Sequence, residues 1–288
     1  MEALFFSPAH TAWVAAVFTI LGLLIGSFLN VLIHRMPVME QRLLENFIAE
    51  ESGKTPPHSE TYNLFVPRSA CIKCGHKITA LENIPVISYL FLRGKCSSCK
   101  TPISIRYPLI EICCGILSGA LIWHFGSGWQ GLAALFLTWI LIACTAIDLD
   151  IQQLPDDLTL PLLWVGLLIN LNATFTTLNS AVIGAAAGYL SLWSVNFLYR
   201  QLKGVDGMGY GDFKLLAALG AWFGWQLLPV IILISAGVGS IIGILYLFLR
   251  RLGIETKISF GPFLALAGMV ALIWGTQISA LLTPGLNG

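Results

Sequence analysis

Eight apolar blocks, separated by short polar stretches, constrain this chain more than any other feature. They fall at about 11–33, 109–125, 129–147, 158–172, 181–199, 213–226, 228–249 and 260–282. A helix needs roughly 20 apolar residues to cross a bilayer. The chain is 56% hydrophobic and 11% charged over 288 residues, where a soluble domain of that size carries about 25% charged residues. The pattern predicts an all-α polytopic membrane protein with about eight transmembrane helices. The fourth and sixth blocks are short, which suits tilted or partly re-entrant segments. A net charge of +1 offers no electrostatic case for nucleic acid. No cleavable signal peptide is expected, because Met1-Glu2-Ala3 lacks a basic region and the first apolar run is of full spanning length.

Basic residues set the expected orientation. Ten of the sixteen Lys and Arg residues lie between Arg35 and Arg106, the one sizeable polar segment. Placing that segment in the cytoplasm puts Arg200, Lys203, Arg250, Arg251 and Lys257 on the same side, with Lys214 at the cytoplasmic end of the sixth span. All sixteen then share one face, as the positive-inside rule requires. The expected organisation is a first transmembrane helix (1–34), a cytoplasmic insert (35–107) and a membrane-embedded domain (108–288). Residues 50–60 read as a solvated loop within the insert. Small residues at Gly184, Ala185, Ala186, Ala187 and Gly188, and at Gly237, Gly239 and Gly243, suit close helix packing, which would bring spans three and six together.

The insert carries Cys71-Ile-Lys-Cys74 and Cys96-Ser-Ser-Cys99, two C-x2-C pairs separated by 21 residues. Four thiolates at this spacing make a closed tetrahedral site, structural rather than catalytic, and predict bound Zn²⁺. Gly75 can take the backbone angle of the metal-binding turn. A small polar insert buries little core, so a metal supplies folding energy. Two disulfides would need an oxidising compartment, against the charge pattern. His76 reads as a solvated side chain beside the site. Cys113, Cys114 and Cys144 lie in apolar spans and read as small core residues.

Two acids stand at membrane edges where a charge is costly unless used: Asp148 ends the third span and Asp212 begins the sixth. The predicted topology places both at similar depth on the cytoplasmic side. Two adjacent carboxylates sharing one proton can hold a water and cleave a peptide bond without metal or covalent intermediate. Gly209 and Gly211 allow a bent backbone and close approach of a substrate strand. A plainer role for Asp212 is to cap the sixth span, and Asp148 can be a solvated helix-end residue. Asp150, Asp156 and Asp157 compete with Asp148, and spacing does not choose among them. Glu111 is a secondary functional candidate, though pairing with Arg106 is the favoured reading.

These elements together resemble the type IV prepilin leader peptidases, also called prepilin peptidase/N-methyltransferases. The resemblance runs through Gly26-Ser-Phe-Leu-Asn30-Val-Leu-Ile-His34-Arg35, both cysteine pairs, Ala146-Ile-Asp148, Leu154-Pro-Asp156 and Gly209-Tyr-Gly-Asp212-Phe-Lys214. It implies an inner-membrane enzyme that cuts leaders from prepilins and pilin-like secretion subunits at the cytoplasmic face. It also implies N-methylation of the new terminus with S-adenosylmethionine. By motif, the family's catalytic aspartates fall on Asp148 and Asp212, and its zinc ligands on the four cysteines. The residues give no independent sign of a methyl-donor site. Asn30, His34, Arg35, Glu82, Gly94 and Lys95 are guessed to line one, with packing and anchoring as the plain alternative. Acidic residues at 40, 45, 50 and 51 could grip a basic leader, but a solvated face is the favoured reading. The rival readings are a Gly-x-Gly-Asp membrane protease without methylation, and a noncatalytic scaffold or transporter. A transporter would place its acids mid-span, not at one face.

Overall fold

The computed structural model describes residues 8–250 and 258–282. Arg251 and Lys257, used above for orientation, lie outside the described residues. A helix stands at each predicted apolar block: α1 (Pro8–Glu51), α3 (Arg106–Phe125), α4 (Trp129–Ile151), α5 (Asp156–Ile169), α6 (Leu178–Lys203), α7 (Tyr210–Phe223), α8 (Leu228–Arg250) and α9 (Gly261–Leu282). A short helix, α2 (Ile87–Phe91), lies in the insert. Six of the helices are long and apolar enough to cross a membrane. The other two, α5 and α7, are 14 residues each, about 21 Å at 1.5 Å per residue. Among the described residues the regular elements are therefore all helices, several long enough to cross a membrane, while a count of eight full spans is not reached by length. The chain divides into two compact units, Met1–Ala143 and Cys144–Gly288.

In the first unit α1 does not stop where the apolar run does. It continues 18 residues past Ile33 to Glu51 through good helix formers (Met39, Gln41, Arg42, Leu43, Leu44, Glu45). The chain then turns at Gly53, whose φ of 68° belongs to the left-handed region. Gly53 N–H donates to Glu50 O at 3.0 Å and Lys54 N–H to Ala49 O at 2.8 Å, the paired bonds of a Schellman stop. The predicted insert thus begins as an extension of the first helix, and residues 52–60 are almost entirely exposed, as expected of a loop.

The seam between α1 and α3 is made by glycine on both helices. A Cβ on Gly26 would lie 2.7 Å from Glu111 Cα, and one on Gly119 would lie within 3.3 Å of Ala15 O. Gly22 and Gly115 are equally tight, against Ser118 Oγ and Leu23 respectively. Two four-residue glycine spacings therefore face each other, and the backbones approach as no larger residue would allow. Asn30 Nδ2 donates to Tyr107 O at 3.1 Å, and Trp139 Nε1 on α4 donates to Ser118 Oγ at 3.0 Å.

The second unit is organised around α7. Every residue from Leu215 to Phe223 is buried, as are Asp212 and Phe213. A helix apolar on all sides must be enclosed, and here α5, α6 and α9 enclose it. Gly184 of α6 meets Gly220 of α7, each so close that an added Cβ would fall 2.1–2.3 Å from the other's carbonyl oxygen. The fifth-span glycines of α6 thus pack against the sixth span, α7. Polar bonds fix the far end: Asn170 Nδ2 donates to the carbonyls of Ala221 (2.8 Å) and Trp222 (2.9 Å), and Trp222 Nε1 donates to Leu162 O at 2.9 Å. Gly220→Val should lower thermal stability in detergent by about 1–3 kcal/mol, the cost of overpacking. Gly237→Ala, inside α8 with no atom within 4 Å of the new Cβ, should hold or slightly raise the melting temperature, because alanine has the higher helix propensity.

Candidate active site and metal centre

The four cysteine sulfurs of the insert converge. Cys71 and Cys99 Sγ are 3.7 Å apart, Cys74 and Cys96 Sγ are 4.0 Å apart, and all four lie within 4.8 Å of one another. A tetrahedral Zn²⁺ with Zn–S bonds of about 2.3 Å needs S···S edges of about 3.8 Å. Two matching turns produce this. Cys71 N–H donates to His76 O and Gly75 N–H to Cys71 O, both at 2.9 Å. Cys96 N–H donates to Thr101 O at 2.9 Å and Lys100 N–H to Cys96 O at 3.1 Å. The left-handed position is Gly75 in the first turn and Lys100 in the second.

The thiol chemistry also fits a cation. The Thr101 hydroxyl and backbone bring the Cys99 thiol down to about 6. Cys74, despite a backbone hydrogen bond at His76, is pushed up to about 11 by desolvation and the neighbouring sulfurs. Four crowded thiols ionise together only when a positive ion offsets their repulsion. His76 lies outside the sulfur cluster, with Nε2 3.3 Å from Glu82. Glu82 braces the two turns: the Ser97 hydroxyl, with the Thr79 amide and hydroxyl, holds its carboxyl at about 2.

The remaining residues guessed for a methyl-donor site divide by environment. Arg35 is buried and donates to Asn63 O at 2.7 Å and to Pro67 O at 2.5 Å, which pins the insert to α1. Asn30 ties α1 to α3, and Gly94, at φ 66°, packs under the Tyr89 ring. His34 and Lys95 are exposed. Glu111 is buried and accepts from Val86 N–H at 2.7 Å, with a further hydrogen bond to Ser27.

In the second unit Asp148 and Asp212 are both buried, and Asp150, Asp156 and Asp157 are all exposed. Asp156 pairs with Lys214 at 2.5 Å. Asp148 Oδ2 accepts from the N–H of Gly261, the first residue of α9, at 3.0 Å. Ser259 Oγ donates to the Asp148 carbonyl at 2.8 Å. Asp212 sits in the first turn of α7, so each carboxylate meets the positive end of a helix. The two carboxylates are close enough to repel one another. Asp212 Oδ1 is buried and has no hydrogen-bond partner. Such an orphan acceptor is rare, and its natural partner is a water or a shared proton.

Leu154 sets the spacing. A Cβ on Gly211 would fall 2.7 Å from Leu154 Cβ, and one on Gly261 would fall 3.2 Å from Leu154 Cδ1 and 2.6 Å from Asp148 Oδ2. Both glycines are therefore demanded by close approach, and Gly209 has an ordinary extended backbone. The preceding loop hangs on Asn196. Its Oδ1 accepts from Gly207 N–H (2.8 Å) and Met208 N–H (3.1 Å), and its Nδ2 donates to Asp206 at 3.0 Å. Asn196, Ser259 and Gly261 carry no chemical motif. The one sequence signal was the Gly261-Pro262 pair, a common helix start.

Comparison with known proteins agrees over most of the chain. The profile described as the Bacterial Peptidase A24 N-terminal domain matches residues 20–125, and that of the Type IV leader peptidase family matches residues 135–244. A prepilin leader peptidase/N-methyltransferase of Stutzerimonas stutzeri is 56% identical over 263 residues, 91% of each chain. Proteins with the same description from Pseudomonas aeruginosa (55% over 261 residues, 90% of each chain) and Burkholderia pseudomallei (48% over 280 residues, 96% of this chain and 91% of that one) are similar. No solved structure gives a significant match. With relatives this similar over nine-tenths of its length, the chain belongs to the type IV leader peptidase family.

Proposed function

We propose that this protein cleaves the leader from prepilins and pilin-like secretion subunits and then methylates the new N-terminus, with Asp148 and Asp212 as the hydrolytic pair. The observation that carries the pair is the unpartnered, buried Asp212 Oδ1 beside a second buried carboxylate. One carboxylate takes a proton from a water held between them while the other, protonated, polarises the scissile carbonyl. Hydroxide adds to the carbonyl carbon. Collapse of the tetrahedral adduct breaks the C–N bond, and the leaving amine takes up the proton.

When bound, S-adenosylmethionine would supply the methyl group that the new amine receives in exchange for one proton. S-adenosylmethionine enters as co-substrate on the strength of the family, and no residue here is assigned to it. Zn²⁺ would be held by Cys71, Cys74, Cys96 and Cys99, where it closes two turns and takes no part in either reaction. The basic-residue pattern supports an inner-membrane protein with the insert and both aspartates toward the cytoplasm. A prepilin is itself an apolar helix behind a charged leader, so its scissile bond would lie at the same interface.

Asp148→Asn and Asp212→Asn keep side-chain shape and should each lower prepilin cleavage by about 1000-fold or more. Asp150→Asn and Asp157→Asn should cleave at the parental rate, and cleavage retained in either pair variant overturns the mechanism. Asn196→Ala frees the loop before Asp212 and should slow cleavage about tenfold with zinc content unchanged. Purified protein should hold about one Zn²⁺ per chain, and Cys99→Ser well under half that, measured by elemental analysis. Mass spectrometry of the mature product should show one added methyl only when S-adenosylmethionine is supplied.

A further inference from the structure

We infer that residues 81–92 of the insert re-enter the bilayer alongside α1 and α3, so that α2 is a lipid-embedded segment of the zinc-binding insert. The inference concerns a lipid-facing surface and does not depend on the catalytic assignment. The starting point is depth. Glu111 lies within α3, its Cα packed at the level of Gly26 and its carboxylate near Ser27 of α1, and that carboxylate accepts from Val86 N–H at 2.7 Å. Ser27 is six residues from Ile33, where the apolar run of α1 gives way to His34 and Arg35. At 1.5 Å per residue, the Val86 turn therefore lies about 9 Å to the membrane side of that boundary.

The chain is bent sharply to reach this point. Val86 has φ 60° and ψ −48°, and Ile87 N–H closes onto Pro85 O at 2.5 Å. This is the rare three-residue turn with positive φ, adopted by a β-branched residue. A buried carboxylate accepts its N–H, so the polar backbone of the turn is not left open to lipid.

What surrounds the turn is apolar and uncovered. Leu81, Ile84, Ile87, Leu90 and Phe91 are 38–85% exposed, an unusual set for a water-facing surface. Glu82 is the one charge in the segment Leu-Glu-Asn-Ile-Pro-Val-Ile-Ser-Tyr-Leu-Phe-Leu, and it is bound to Ser97, Thr79 and His76 of the metal turns. Twelve mostly apolar residues are too few to span, but they suit a re-entrant or interfacial segment.

The neighbouring α3, with Ile105 at its N-cap, likewise exposes Leu109, Ile112 and Ile116 along one stripe at helical spacing. Arg93 and Lys95 follow the segment directly and are exposed, placed to meet anionic headgroups where the chain leaves the apolar zone. The bilayer fits this surface by level, by polarity and by the charge at its edge.

The test is depth measurement on the full-length zinc-loaded protein in nanodiscs of phosphatidylethanolamine and phosphatidylglycerol. A ketone-bearing unnatural amino acid carries a spin label at Ile84, Leu90 or Phe91, with Leu24 of α1 as the lipid control and Lys54 as the water control. Collision with oxygen relative to a water-soluble nickel complex reports depth. Ratios at two or more of the three positions that match Leu24, several-fold above Lys54, support re-entry. Ratios matching Lys54 overturn it and make the segment a solvated surface of the insert.

Discussion

A charged group in a low-dielectric interior must be bonded or used, and the second unit is arranged around that constraint. Helix α7 is buried along nearly its whole length, with Asp212 as its buried acid. Packing this helix closely needs glycine at Gly184, Gly188 and Gly220, and its carbonyl end needs Asn170. The acid end is handled differently. Asp148 is bonded by the α9 backbone, whereas Asp212 keeps one oxygen free. Among the described residues it is the one buried side-chain oxygen or nitrogen left without a hydrogen bond, so the open oxygen marks where chemistry is expected.

The metal turns and the membrane helices solve opposite problems with related means. In the insert, the short polar segment has little core to bury, and four sulfurs converge where a shared metal would join the two turns, with Glu82 bonded to Thr79 beside them. In α1 and α3, apolar surface is plentiful, but lipid is as apolar as leucine and gives no hydrophobic drive to associate. Glycine seams and buried polar bonds (Asn30 to Tyr107, Trp139 to Ser118) supply the contact instead. Glu111 joins the two regimes by reaching from a membrane helix to the insert backbone.

Much of this was legible from residue types. The helical blocks and the cysteine pairing follow from hydropathy and spacing, whereas Asp148 was singled out from its acidic neighbours only by the family resemblance. The reasons for particular residues were less legible. Gly211 read as allowing a bent backbone, yet its backbone is helical and Leu154 is what excludes a side chain. Asn30 and Arg35 could be read as site-lining or as packing residues, and what the structure shows is that they bond backbone carbonyls of α3 and the insert. Asn196 had no motif around it, because a side chain that holds a loop is defined by where that loop returns.

By itself the sequence determined that this chain lies in a membrane as helices, that four cysteines share a metal-ligand pattern, and that its costly acids sit at span ends. Those properties are local: each depends on side-chain chemistry within one segment or one spacing. Tertiary structure alone decided that Asp148 and Asp212, but not their three neighbours, are buried together, and that Leu154 and the α9 terminus set their approach. It alone carried α1 past its apolar run and turned Val86 toward Glu111. Burial, helix-end contact and depth arise from segments far apart in the chain, so no local pattern encodes them.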